Sequence, residues 1–210
     1  FLRDLNLQKN FVNYYIIMKV LELFSGTGSV GKVVKQFDWD VISLDIDERA
    51  DIVCDILEWD YKKYTKDYFD IIWASPPCDE YSIMNHCRPT KICDLEGADK
   101  LVLKTLEIIK YFNPEWWFIE NPQTGKLKHR TFMKDIPYID VDYCMFGWYI
   151  RKRTRIWTNR KLENRLCNKT CNAMISEKKH RSFSTLNIPG INRLDLRHTI
   201  PPDLIFYLFS

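Results

Sequence analysis

Lys19-Val20-Leu21-Glu22-Leu23-Phe24, followed at once by Ser25-Gly26-Thr27-Gly28-Ser29-Val30-Gly31, is the stretch that decides the fold. Its first part is an apolar run of strand length. Its second carries a Gly-x-Gly-x-x-Gly spacing, which lets the backbone turn sharply and predicts a helix over 28–37. A strand that hands a glycine loop to a helix is the opening unit of an α/β sheet. Working outward, residues 40–44 read as a second strand ending in Asp45, residues 51–54 as a short third, and residues 69–74 as a fourth. Apolar residues at 98, 101, 102, 106, 108, 109 and 112 predict an amphipathic helix over 96–112. Residues 115–119 read as a fifth strand, closed by Glu120-Asn121-Pro122, and residues 139–145 and 154–158 as two more. The alternation predicts a Rossmann-like α/β fold, with a mostly parallel sheet and helices on both faces.

At 210 residues the chain has the size of one domain with a small appendage. It is 46% hydrophobic and 14% aromatic, which supplies a real core and argues against disorder. Residues 11–24 are too short and, with Asn13, Lys19 and Glu22, too polar to span a membrane. Seven cysteines at irregular spacing point to a reducing, intracellular compartment. The net charge is +3, and residues 158–210 hold nine Lys/Arg against four acids, just after Arg151-Lys152-Arg153-Thr154-Arg155. A basic end on a near-neutral body suits a polyanion partner. The expected division is an N-terminal extension at 1–17 ahead of Met18, a catalytic domain at 18–158, and a short irregular basic C-terminal region at 159–210.

Two positions carry candidate chemistry. Ser75-Pro76-Pro77-Cys78 follows the fourth strand, where two prolines stiffen a turn that presents a thiol at the sheet edge, a candidate nucleophile. The glycine loop, with Asp45 seventeen residues beyond Gly28, predicts a nucleoside-containing cofactor. Glu22, Asp45 and Asp55 lie at three successive strand ends. An acid-lined pocket repels pyrophosphate and suits a sulfonium and an ammonium, which favours S-adenosylmethionine over a nicotinamide dinucleotide.

From residue 18 to 158 the chain resembles the cytosine-C5 DNA methyltransferases, and most of all their short phage and virus members. Leu21-Glu22-Leu23-Phe24-Ser25-Gly26-Thr27-Gly28 is similar to the family's cofactor loop, Ser75-Pro76-Pro77-Cys78 to its nucleophile turn, Glu120-Asn121-Pro122 to its Glu-Asn-Val, and Arg151 to Arg155 to its Gln-x-Arg-x-Arg. Asp94 to Asp99 and Glu120 to Gly125 resemble the viral subgroup. The resemblance implies an S-adenosylmethionine-dependent methyltransferase fold. It implies cofactor binding by Phe24, Ser25, Gly26, Thr27, Gly28, Asp45, Ile46, Asp55, Ile56 and Pro76. It also implies covalent catalysis, with the Cys78 thiolate adding to cytosine C6, Glu120 meeting N3 and the exocyclic amine, and Arg153 and Arg155 holding base and phosphate while lowering the thiol's pKa. The base leaves the duplex stack, the 79–94 loop closes behind it, and Ser82, Arg88 and Arg151 meet the nucleic acid.

The chain departs from the family in three places. Arg151 replaces a glutamine, Asp79-Glu80 follow the nucleophile, and the C-terminal Gly-Asn motif is missing. A methyltransferase-like binding module without turnover and an RNA cytosine-C5 methyltransferase therefore stand as alternatives. The expected substrate is DNA and the expected state a monomer, in a bacterial host's cytoplasm or in the cytoplasm or nucleus of a virus-infected cell. So short a recognition region predicts a short target sequence or help from a partner protein. Cys167, Cys171 and His180 are three metal-ligand types with no settled fourth among His198, Cys87 and Cys93. Four are needed for structural zinc, so no metal is expected.

Overall fold

The computed structural model describes residues 17–83, 85, 90, 92–186 and 192–210. The strands are β1 Lys19–Leu23, β2 Asp40–Asp45, β3 Ile52–Val53, β4 Ile71–Ala74, β5 Trp116–Pro122, β6 Tyr138–Asp142 and β7 Arg153–Thr158. They form one sheet in the order β3-β2-β1-β4-β5-β7-β6. Neighbours from β3 to β5 are parallel, while β7 runs antiparallel to both β5 and β6. The chain runs outward from β1 to β3, then returns to lay β4 on the other side of β1. That reversal opens a crevice at the carboxyl ends of β1 and β4, where open α/β sheets bind ligands. The expected mostly parallel α/β architecture is the one observed.

Strand alternation divides the core. Val20, Ile71, Trp73, Phe118 and Ile156 share one apolar cluster with α1 (Ser29–Val34) and with α4 (Pro202–Phe209). Leu21, Leu23, Ile72, Ala74, Ile119 and Trp157 share the other with α2 (Leu95–Phe112). The predicted helix 28–37 is a six-residue α-helix continued by a 3-10 turn, Lys35–Phe37. Val30, Val33 and Val34 are β-branched and lower its propensity, so burial holds it. α2 starts where Asp94 Oδ1 accepts the Gly97 N–H at 2.8 Å, and stops at Asn113, whose left-handed φ of 49° precedes Pro114.

Two segments differ from the sequence pattern. The strand expected over 139–145 ends at Asp142, and Tyr143–Phe146 forms a 3-10 turn closed by Gly147 at φ 71°. After residue 160, where the pattern reads as irregular, a two-stranded ribbon (β8 Met174–Ser176, β9 Lys179–His180) precedes α3 (Arg193–His198) and α4. Leu204, Ile205, Leu208 and Phe209 are buried, and the Phe209 ring stacks on Phe118 with centroids 5.4 Å apart. The last helix, inside the region assigned to target recognition, therefore covers the sheet. Among the described residues no helix is long and apolar enough to cross a membrane.

Candidate active site

The parallel strands deliver Gly26, Cys78 and Glu120 to one edge of the sheet. Because β7 runs the other way, its first residues arrive at that same edge, with Thr154 opposite Pro122 and Arg155 opposite Asn121. The Pro-Pro-Cys turn is tied from both sides. Ser75 N–H donates to Leu23 O at 3.2 Å, and Asn121 Nδ2 donates to the Pro76 carbonyl at 2.9 Å. Cys78 lines a cleft of about 170 Å³ with Ser82, Ile83, Pro122, Thr124 and Gly125.

Glu120 is buried, and its Oε1 accepts a hydrogen bond from the Tyr143 hydroxyl at 3.0 Å. Lys152 Nζ lies 3.5 Å from the same oxygen and 4.8 Å over the Tyr143 ring. Burial, then the Glu120 charge, keep the Tyr143 phenol well above its ordinary pKa, so it stays a donor. Burial also pushes the Cys78 thiol up, Glu120 adds to the rise, and Lys152 opposes it. The expected lowering of this thiol by arginines does not hold, because the arginines are engaged elsewhere. Arg153 grips Asp142 through two hydrogen bonds of 2.9 and 2.8 Å, and Arg155 grips Asp140 through two of 2.8 and 2.9 Å. Arg151 Nε adds a contact of 3.3 Å to Asp142, and the Cys167 N–H donates to it at 2.8 Å. Burial alone would raise the pKa of Asp142, but Arg153, that N–H and Arg151 outweigh it and hold the carboxyl below its usual range.

On the cofactor side, Gly26 and Gly28 have φ of 47° and 63°, a region that suits glycine, and a Cβ built on either meets nothing within 4 Å. At Gly31 a Cβ would lie 3.1 Å from Glu22 Oε2, so this glycine serves close helix–strand packing. Asp45 organises the loop, accepting the Gly26 N–H at 2.8 Å and the Asp47 N–H at 3.0 Å. Phe24 and Thr27 are half-buried and Ser25 is buried. Ile46 is 77% exposed, an apolar side chain left uncovered beside this loop. Asp55 is exposed and turns the backbone by accepting the Leu57 N–H at 2.9 Å. Open space over the glycine loop, an uncovered apolar side chain and neighbouring carboxylates fit an uncharged nucleoside with a cationic tail.

Two expectations need correction here. The Glu22 carboxylate does not line a pocket; it is buried and takes the Val30 and Gly31 N–H groups at 3.1 and 2.8 Å, capping α1. Ile56 is 2% exposed, so its side chain packs in the core rather than flanking a ligand. Pro76 is likewise buried and contributes its carbonyl to the Asn121 bond.

Of the residues expected to meet nucleic acid, Ser82 borders the Cys78 cleft, Arg151 is exposed beside Asp142, and Arg88 lies outside the described residues. Glu80 accepts the Asp94 N–H at 2.9 Å, a bond to the residue that caps α2. Sequence reasoning missed Tyr143, Lys152, Asp140 and Asp142. The acids were findable: 140 and 142 alternate on one predicted strand as 153 and 155 do on the next, the spacing of a cross-strand ladder. Cys167, Cys171 and His180 come together in the structure, with Cys144 as the fourth member. His198 lies instead where Lys152 and Asp79 act on it, Cys93 Sγ meets Asn85 Nδ2 at 3.2 Å, and Cys87 is outside the described residues.

A glycine loop and a rigid Pro-Pro-Cys turn at the switch point, tied to a buried Glu-Asn strand end, place the chain among α/β proteins of the methyltransferase type. Residues 18–136 match the family of C-5 cytosine-specific DNA methylases, and the chain belongs to that family. It is 38% identical over 154 residues to the "Probable DNA (cytosine-5)-methyltransferase" of Frog virus 3 (isolate Goorha), an alignment covering 68% of this chain and 71% of that protein. Its fold is similar to that of a prophage-encoded E. coli protein assigned as a DNA modification methyltransferase, with a TM-score of 0.52 and 17% identity. That likeness covers 67% of this chain, which spans 46% of the solved one.

Proposed function

We propose that the chain transfers a methyl group to C5 of cytosine in DNA through a covalent Cys78 adduct. The observation that carries this is the Asn121–Pro76 hydrogen bond, which locks the Glu120 strand end to the Cys78 turn and so holds acid and thiol in fixed relation. Cytosine C5 is a poor nucleophile. Addition of the Cys78 thiolate at C6 makes the ring an enamine, and Glu120, with Tyr143 and Lys152 on its carboxylate, meets the N3 edge as charge builds there. Once C5 has taken up the methyl group, loss of the C5 proton to solvent and departure of the thiolate restore the aromatic ring. S-adenosylmethionine, held by Phe24 to Gly28, Asp45, Ile46 and Asp55, supplies an electrophilic methyl group. Arg153 and Arg155, pre-set by Asp142 and Asp140, present their remaining donors to base and phosphate.

The test is trapping on DNA containing 5-fluorocytosine, which cannot lose its C5 substituent. A denaturation-stable adduct that needs both S-adenosylmethionine and Cys78 is expected. Undiminished cofactor binding with no adduct would favour a module without turnover, and an adduct on RNA alone would move the substrate.

A further inference from the structure

Residues 159–182 are weakly supported by packing. Ala173 is the one buried residue among them, so this stretch has no core of its own. Yet it is ordered into two turns and a ribbon. Its first part lies along β6, with Arg165 N–H donating to Asp140 O at 3.1 Å and Asp142 N–H donating to Arg165 O at 2.9 Å. Beyond that point four side chains converge. Cys144 comes from the 3-10 turn after β6, Cys167 and Cys171 from one turn of the stretch, and His180 from β9. Their ligand atoms all lie within 4.8 Å of one another. His180 Nε2 is 3.3 Å from Cys167 Sγ and 3.8 Å from Cys144 Sγ.

We propose that Cys144, Cys167, Cys171 and His180 bind one structural Zn²⁺ that staples residues 159–182 to the catalytic body. The donor set is three sulfurs and one imidazole, a combination zinc takes in structural sites. The spacing agrees. Zinc–sulfur bonds of about 2.3 Å and zinc–nitrogen bonds of about 2.0 Å in a tetrahedron set sulfur–nitrogen edges of about 3.5 Å. The distances of 3.3 and 3.8 Å bracket that value, so the ion needs only small side-chain adjustments. The surroundings also suit a thiolate: the Lys169 N–H points at Cys167 Sγ from 3.2 Å, and Lys169 holds a left-handed φ of 72° to place it there. All four positions are filled by protein, which leaves no open coordination site and makes the ion a fastener rather than a reagent. It fastens the segment at a useful place, because Cys144 directly follows Tyr143, the donor to Glu120. The assignment rests on these four side chains and stands independently of the methyl-transfer reading.

The test is metal content of the full chain purified from zinc-supplemented medium, with cobalt as a spectroscopic probe. One zinc per chain is expected. Cobalt added after chelation should give the intense visible bands of a tetrahedral site together with sulfur-to-cobalt charge transfer. Cys171→Ser and His180→Ala should each lower zinc content and weaken those bands, while Cys54→Ser, which alters a cysteine outside the cluster, should leave both intact. Because a variant could fail to fold, chelation of the unaltered chain supplies a second readout: proteolysis should then begin within 159–182 and stop when zinc is restored. Metal-free protein whose cobalt spectrum lacks these bands would overturn the proposal, as would a disulfide between any two of the three cysteines in protein handled under reducing conditions.

Discussion

Cys78 sits between two opposing influences. Burial and Glu120 hold its proton on, while Lys152 works to release it. The rate of alkylation at Cys78 should therefore keep climbing above the ordinary thiol range as pH rises. Lys152→Gln, by removing the opposing cation, should slow alkylation at pH 8 by about tenfold. Thiol-reactive labelling across pH measures both, and an unchanged profile in the variant would remove Lys152 from the account. Tyr143→Phe takes away the hydroxyl that serves Glu120. Hydrogen bonds to charged groups are worth about 1.5–3 kcal/mol, so kcat/KM should fall by about 10- to 100-fold with folding intact. Glu22 illustrates the same physics in a supporting role. Burial raises its pKa from 4.5 to about 7 despite the two N–H groups it accepts. The folded chain thus binds this proton more tightly than the unfolded chain. The Glu22 contribution to stability is complete below pH 4.5, declines as pH rises to about 7, and is level beyond. The difference in denaturation midpoint between the unaltered chain and Glu22→Gln should vary across that window and be flat outside it.

The β6–β7 pair carries the element-scale argument. Its register sets Asp142 opposite Arg153 and Asp140 opposite Arg155. Each pair is bidentate, which fixes the planar guanidinium, and Arg155 is held further by the Tyr138 ring, whose centroid lies 3.5 Å from its guanidinium carbon. Asp142 is fully buried, whereas Arg153 and Arg151 are about one-third exposed, so the penalty of losing the carboxylate is softened by water on the arginine side. Asp142→Asn should destabilise by about 2–3 kcal/mol, read from denaturant unfolding. Asp47→Asn, which disturbs an exposed pair with Arg49, should leave that midpoint unmoved. These acids were legible as a period-2 pattern facing a period-2 pattern. Pairing the two strands with each other required knowing that β7 reverses, and no residue in either strand encodes its neighbour's direction.

Across the whole molecule, the last helix closes on the first, with α4 and α1 covering the same sheet face. Removing residues 200–210 uncovers Trp73, Phe118 and Val30 together. The shortened chain should lose its sharp unfolding transition and bind a hydrophobic dye, and retention of a cooperative transition would count against this role for α4. The succession of strands and helices, the glycine loop, the Pro-Pro-Cys turn and the Glu-Asn strand end were all readable in the chain, because each is a local pattern: apolar runs of fixed length, glycines and prolines at set offsets, a polar residue straight after a strand. The long helix 96–112 was readable for the same reason, since its periodicity covers five turns. Nothing local distinguished α4 from a disordered apolar end, or showed that Ile56 and Glu22 turn inward. The sequence by itself therefore determined the sheet, its order of elements and the chemical types at its carboxyl edge. Only the tertiary structure decided which cation faces the thiol, which acids hold the arginines, and that Cys144 meets Cys167, Cys171 and His180. Those are contacts between residues far apart in the chain, set by strand direction and packing rather than by any short-range preference.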